Sequence, residues 1–276
     1  MLGAIALPQR DRAAILSVLA ALIALSWLTL ADPLGLGIGA ALDHEEIFEG
    51  KDAVGILARL PLFVAAWVLM TVAMMLASTL PTQQAVAAIA ARRGPMGPGV
   101  SALLFTAGYV AVWSAFGVAA FGVDLGVHRL VEVVHVLDDH ELLLPGGLTA
   151  LAGLYQFTEL KDRCLTVCRT PMSFVMTRWR GGRHGALAMG LDHGLYCLGC
   201  CWPLMLLMFA FAATSLPLML LAAVYFFAEK ALVQGDSVSR AVGVAFVAVG
   251  LGLLAIEVGA IVLDAGAVCA HGEGAC

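Results

Sequence analysis

Apolar residues along this chain come in long blocks separated by short polar stretches. Blocks that approach or exceed the length needed to cross about 30 Å of hydrocarbon lie near residues 13–31, 59–80, 99–122, 142–157, 186–211, 216–233 and 241–263. Each predicts a helix, because backbone polar groups in lipid must be satisfied within the segment. The fold expected is all-α, a polytopic membrane helix bundle of seven transmembrane helices. The count drops to six if the short, Pro- or Gly-bearing fourth or sixth block only dips into the membrane. The first block is too long for a signal-peptide core and reads as an uncleaved first helix. Pro81 and Pro217 are expected at helix boundaries, where a missing amide proton is tolerated.

The polar stretches then set the orientation. Seven crossings from a cytoplasmic N-terminus put Arg10, Arg12, Arg92, Arg93, Lys161, Arg163, Arg169, Arg178, Arg180, Arg183, Lys230 and Arg240 inside, 12 of the 15 basic residues, and leave Lys51, Arg59 and Arg129 outside with the C-terminus. The net charge of −5 arises mainly from acidic residues in the outer loops, a surface that attracts cations. A 61% hydrophobic chain with 13% charged residues and a mean hydropathy of +0.95 is not a soluble globular protein. Residues 1–276 read as a single transmembrane helical domain with two rim features. These are an outer amphipathic helix near 127–140 and a basic cytoplasmic loop near 158–185. Nothing basic and aromatic-interleaved points to nucleic acid.

Chemistry concentrates in the fifth block. Met189, His193, Cys197, Cys200, Cys201, Met205 and Met208 fall within roughly half the circumference of a helix that turns about 100° per residue. Thiolate and thioether sulfur prefer Cu(I), with imidazole as a tolerable partner. Three cysteines within five residues, preceded one turn earlier by His193, exceed what cysteine as a small hydrophobe explains. Met70 and Met74 share a face of the second block. Counted from the inner boundary, Met74 is level with His193 and Met70 with Cys197, so the four can oppose one another if the two helices are adjacent. Cys197-Leu-Gly-Cys200 is also the spacing of thiol–disulfide exchangers, which leaves a transmembrane electron relay open.

Secondary metal candidates flank this line. Cys164 and Cys168 stand one helical turn apart in the basic loop, beside cations that favour thiolate. On the outer side His128, Glu132, His135 and Asp139 recur along one face, a donor set suited to Cu(II), Zn(II) or Ni(II). The tail residues Cys269, His271 and Cys276 can ligate, pair as a disulfide or fray. Asp192 and Glu229 read as sitting near the inner interface, where water solvates them, whereas Glu257 lies deeper and calls for a partner or a water-filled cavity.

Met70-x-x-x-Met74-Met75, the run from Tyr155-Gln156 through Lys161, Cys164 and Cys168 to Pro171, and Gly194-Leu-Tyr-Cys197-Leu-Gly-Cys200-Cys201-Trp202 resemble a bacterial family of predicted metal-binding integral membrane proteins. The resemblance covers roughly residues 60–250 and adds Met75 to the expected ligands. Two positions depart from the pattern. Ala77 stands where a Pro usually follows the Met pair, and Pro203 follows Trp202, where it breaks the helix and frees the carbonyl of Gly199. The expectation is a multi-pass protein of the bacterial cytoplasmic (inner) membrane. It would bind copper through Cys197, Cys200, Cys201, His193, Met74, Met70 and Met75 for transport, storage or delivery. Its partners would be the metal ion, membrane lipid and another membrane metalloprotein or a soluble metal carrier. No catalytic residue, nucleotide site, ATP-using domain or covalent haem signature is read from the chain, so an enzyme is not favoured. The other classes left open are the thiol relay and a non-catalytic subunit of a larger membrane complex.

Overall fold

The computed structural model describes residues 7–33, 35, 37, 39–42, 53–93, 96–134, 140–212, 215–232 and 234–271. Among them are nine α-helices and no strand: α1 (Gln9–Ala31), α2 (Ala53–Arg93), α3 (Pro98–Val133), α4 (Leu143–Tyr155), α5 (Glu159–Arg169), α6 (Pro171–Arg178), α7 (Gly182–Ala212), α8 (Leu216–Ala231) and α9 (Gly235–His271). All seven apolar blocks are helical. Five of the helices, α1, α2, α3, α7 and α9, are long and apolar enough to cross a membrane. At 1.5 Å per residue the 13 residues of α4 and the 16 of α8 reach only about 20 and 24 Å, short of the hydrocarbon thickness.

The distribution of side chains is that of a protein built for lipid. Leu25, Leu28, Leu151, Leu221, Ile256 and Val262 are exposed, whereas Gln83, Gln156, Lys161, His193, Glu229 and Lys230 are buried. Polar groups turned inward in an apolar chain single out this interior as the candidate functional region.

Pro217 sits in the first turn of α8, as expected of a boundary proline. Pro81 does not end a helix. It lies inside α2, which runs on for another three turns to Arg93. That extension packs Ala85, Val86 and Ile89 against Phe174 and Val175 of α6, and this tertiary contact offsets the missing hydrogen bond.

Helix α3 packs along both α2 and α7, and α8 bridges α2, α5 and α7. The close α3–α7 approach depends on Gly108 and Gly190: a methyl group on Gly190 would strike the carbonyl of Phe105, and one on Gly108 the carbonyl of Leu187. The last helix, α9, lies against the short α4, with Gly146 and Gly153 set into its backbone near Gly250 and Gly243. Segment 158–185 folds as α5, α6 and the start of α7, and residues 127–133 form the last turns of α3.

Candidate metal centre

The Sγ atoms of Cys197, Cys200 and Cys201 lie within 4.8 Å of one another, the one such convergence of three metal-ligating side chains among the described residues. Helical spacing brings them together, and burial among α2, α3, α5 and α8 closes them off: each is 0% exposed. None forms a disulfide. The thiols of Cys200 and Cys201 both donate to the carbonyl of Cys197, at 3.0 and 2.9 Å, which turns the three sulfurs toward one side of α7.

Pro203 lies inside α7, which continues through it. The carbonyl left without its amide partner, that of Gly199, accepts a hydrogen bond from the Tyr155 hydroxyl at the end of α4. One residue on, the carbonyl of Cys200 accepts from Lys161 Nζ at 3.0 Å. Polar groups of α4 and α5 thus grip the backbone of α7 directly beside the cysteines.

Helix α5 adds two more thiols. Thr158 caps its N-terminus, with the side-chain oxygen accepting from the Lys161 amide, and the resulting register turns Lys161, Cys164, Leu165 and Cys168 inward. Cys168 is buried in the same cluster as Cys197 and Cys200, and Cys164 packs on Gly199, where a methyl group would meet its sulfur. The cations around this pair do not favour thiolate here, because they are committed elsewhere. Arg163 pairs with Glu159 at 3.0 Å, Arg169 holds the Glu229 carbonyl and Asp236, and Lys161 pairs with Glu229 at 2.6 Å. Burial pushes the Cys164 thiol up, and hydrogen bonding to Cys197 and Cys200, together with burial, does the same for Cys168. The pair that the sequence placed in a basic loop is buried in the central sulfur cluster.

Met70, Met74 and Met75 are fully buried in the same cluster as the five cysteines. The expected adjacency of the second and fifth apolar blocks takes another form: α3 and α8 bridge α2 and α7, and the methionines and cysteines share one buried cluster. Met75 makes the most direct link, since Lys230 Nζ donates to its Sδ at 3.7 Å and to Cys197 Sγ at 3.2 Å. Tyr109 of α3 completes the surround, its hydroxyl 3.1 Å from Cys197 Sγ. Sequence spacing flagged neither Tyr109 nor Tyr225, because a lone aromatic residue in an apolar block carries no periodic signal.

His193 is not in the triad. Its ring sits among Phe105, Tyr109 and Phe174, with centroid separations of 5.5, 6.1 and 5.1 Å, and its buried Nδ1 makes no hydrogen bond. It stands one turn below Cys197, an unused nitrogen donor in an aromatic cage.

The intramembrane ionisable residues have partners. Glu229 pairs with Lys161 and accepts from Tyr225 at 2.8 Å, and is 0% exposed where a solvated rim position was expected. Glu257 faces His140 Nδ1 at 3.0 Å. Asp192 pairs with Arg178 at 3.3 Å, and that guanidinium also lies over the Tyr196 ring. Near the end of α3, His128 Nδ1 lies 3.1 Å from the carbonyl of Asp124. His135 and Asp139 fall outside the described residues, as do Cys276 and the side chains of Glu132, Cys269 and His271.

Three buried thiols backed by thioethers make a soft donor set with no hard oxygen ligand in it, which fits a cuprous ion as cargo. No curated protein and no solved structure matches the chain. A family model does: residues 64–253, which contain every one of these cysteines and methionines, match PpoB2, described as a copper chaperone. With well over half of its length inside that match, the chain belongs to the PpoB2 family of copper chaperones.

Proposed function

We propose that this protein carries Cu(I) inside a membrane helix bundle and delivers it to another protein, with the Cys197, Cys200 and Cys201 thiolates as the principal ligands. The observation that carries the reading is the convergence of three buried sulfurs within 4.8 Å of one another on a chain of a copper chaperone family. Two or three sulfurs around a d¹⁰ ion give a site with no demanding geometry, and such ligands exchange one at a time. Met70, Met74 and Met75 supply neutral sulfur from the same buried cluster, and His193 an imidazole one turn away on α7.

Delivery fits better than storage because a further pair of thiols, Cys168 and Cys164, adjoins the triad. A metal passed from Cys197 and Cys200 to Cys168 stays bound to sulfur throughout, so no uncoordinated ion is exposed. The receiver would be a membrane metalloprotein or a soluble metal carrier. In this reading all seven apolar helices cross the bacterial cytoplasmic membrane, with α4 and α8 meeting locally thinned or protein-lined surroundings. The N-terminus lies in the cytoplasm and the C-terminus outside, as the distribution of Lys and Arg favours.

The test is elemental analysis of the full chain, purified in detergent under anaerobic, reducing conditions after growth with copper. Near-stoichiometric copper that is lost in a Cys200→Ser, Cys201→Ser variant supports the site. If neither protein retains copper, and added Cu(I) is not held, the reading is wrong.

A further inference from the structure

Lys230 is next in sequence to Glu229 but does not pair with it. Glu229 is taken by Lys161 at 2.6 Å, and among the described residues no carboxylate lies within ion-pair distance of Lys230. The side chain instead runs into the sulfur cluster. Its Nζ donates to Cys197 Sγ at 3.2 Å, to Met75 Sδ at 3.7 Å and to Ser78 Oγ at 3.2 Å, from a residue only 8% exposed. A buried ammonium without a carboxylate is costly, and here sulfur is what faces it.

A cation at a thiolate cluster can play one of two parts. It can stay as a counter-ion to the loaded site, or it can compete with the metal for the same lone pairs. The contacts distinguish them. A counter-ion has little to gain from Met75, whose thioether carries no charge, whereas Met75 is a good ligand for Cu(I). An ion bonded to both Cys197 and Met75 would use the sulfur lone pairs to which the ammonium now donates.

We propose that Lys230 is a tethered competitor for the cuprous cargo, its ammonium and Cu(I) being alternative partners of Cys197 and Met75. When the metal takes the sulfurs, two N–H···S hydrogen bonds break, metal–sulfur bonds form, and each thiol that becomes a ligand releases its proton to solvent. The ammonium keeps its proton and stays beside the site on Ser78 Oγ, and no electron is transferred. When the ammonium returns, it helps the metal to leave, so the device moderates affinity and favours hand-over. This inference rests on the copper-carrying role proposed above.

The test uses the full chain in detergent at fixed pH, anaerobically, with Cu(I) affinity read by competition against a chromogenic Cu(I) chelator. Lys230→Leu, which removes the cation without adding a ligand, is expected to raise the affinity on the order of tenfold and to slow removal by the chelator. Lys230→Arg, which keeps a cation in place, stays closer to the parent than to Lys230→Leu. Ser78→Ala removes the alternative seat and lowers affinity a few-fold in the parent chain, yet changes nothing in the Lys230→Leu background. If Lys230→Leu binds Cu(I) equally or more weakly, Lys230 is a resident counter-ion and the proposal is overturned. If Lys230→Leu does not fold, Ser78→Ala decides alone, because an unchanged or raised affinity there overturns the proposal. Failure of the parent chain to hold Cu(I) removes the copper-carrying role and this proposal with it, whereas the other adverse outcomes leave that role standing.

Discussion

The Tyr155 hydroxyl donates to the carbonyl of Gly199, the one backbone acceptor in α7 that Pro203 deprives of its helical partner. A proline two residues beyond a CxGCC run is thus tolerated because another helix supplies the missing donor. Replacing Tyr155 with Phe leaves that carbonyl without the bond while keeping the ring against Trp202. The expected loss is about 1–2 kcal/mol of stability, read as a lower unfolding temperature in detergent. Restoring an amide with Pro203→Ala in the Tyr155→Phe background should recover part of it. An unchanged unfolding temperature in the single variant would mean that the bond carries no weight.

The Lys161–Glu229 pair is wholly buried, with both side chains at 0% exposure. Removing one charge strands the other, so Lys161→Met should cost about 3–5 kcal/mol and reduce the yield of folded protein. The double variant Lys161→Met, Glu229→Leu should be more stable than Lys161→Met alone. Comparing unfolding temperatures of the three proteins checks this, and a double variant less stable than the single one would contradict it.

Cys168 and the triad should separate in a metal assay. Cys168→Ser should keep copper at the parental stoichiometry but weaken retention about tenfold, as expected of a group that supports the ligands from alongside. Loss of Cys200 and Cys201 together should abolish retention. Equal loss in both cases would place Cys168 among the principal ligands.

Gly190 lets α3 and α7 approach so closely that an added methyl group meets the Phe105 carbonyl. Gly190→Ala should therefore push the two helices apart and lower stability by about 1–3 kcal/mol. Gly252, which has nothing near it, should accept Ala without loss. Paired thermal unfolding of the two variants checks the contrast.

Much of this was legible in the sequence. Block length alone determined that the chain forms apolar helices, since a backbone in lipid has few other choices, and all seven blocks are helical. The spacing of Cys197, Cys200 and Cys201 determined that their sulfurs share a face, because helical geometry is local. The freed carbonyl of Gly199 followed from Pro203 for the same reason. Other features were decided only by tertiary structure, because they join residues far apart in the chain. Cys168 joins the buried cluster of Cys197 because Thr158 sets the register of α5 and Gly199 leaves room for Cys164. Lys230 turns to Cys197 and Met75, away from its neighbour Glu229, because Lys161 has already claimed that carboxylate. His193, on the cysteine face by periodicity, sits in an aromatic cage outside the triad because Phe105 and Phe174 pack around it. Local periodicity names the donors, but which of them share a site depends on which helices pack together, and no local pattern encodes that.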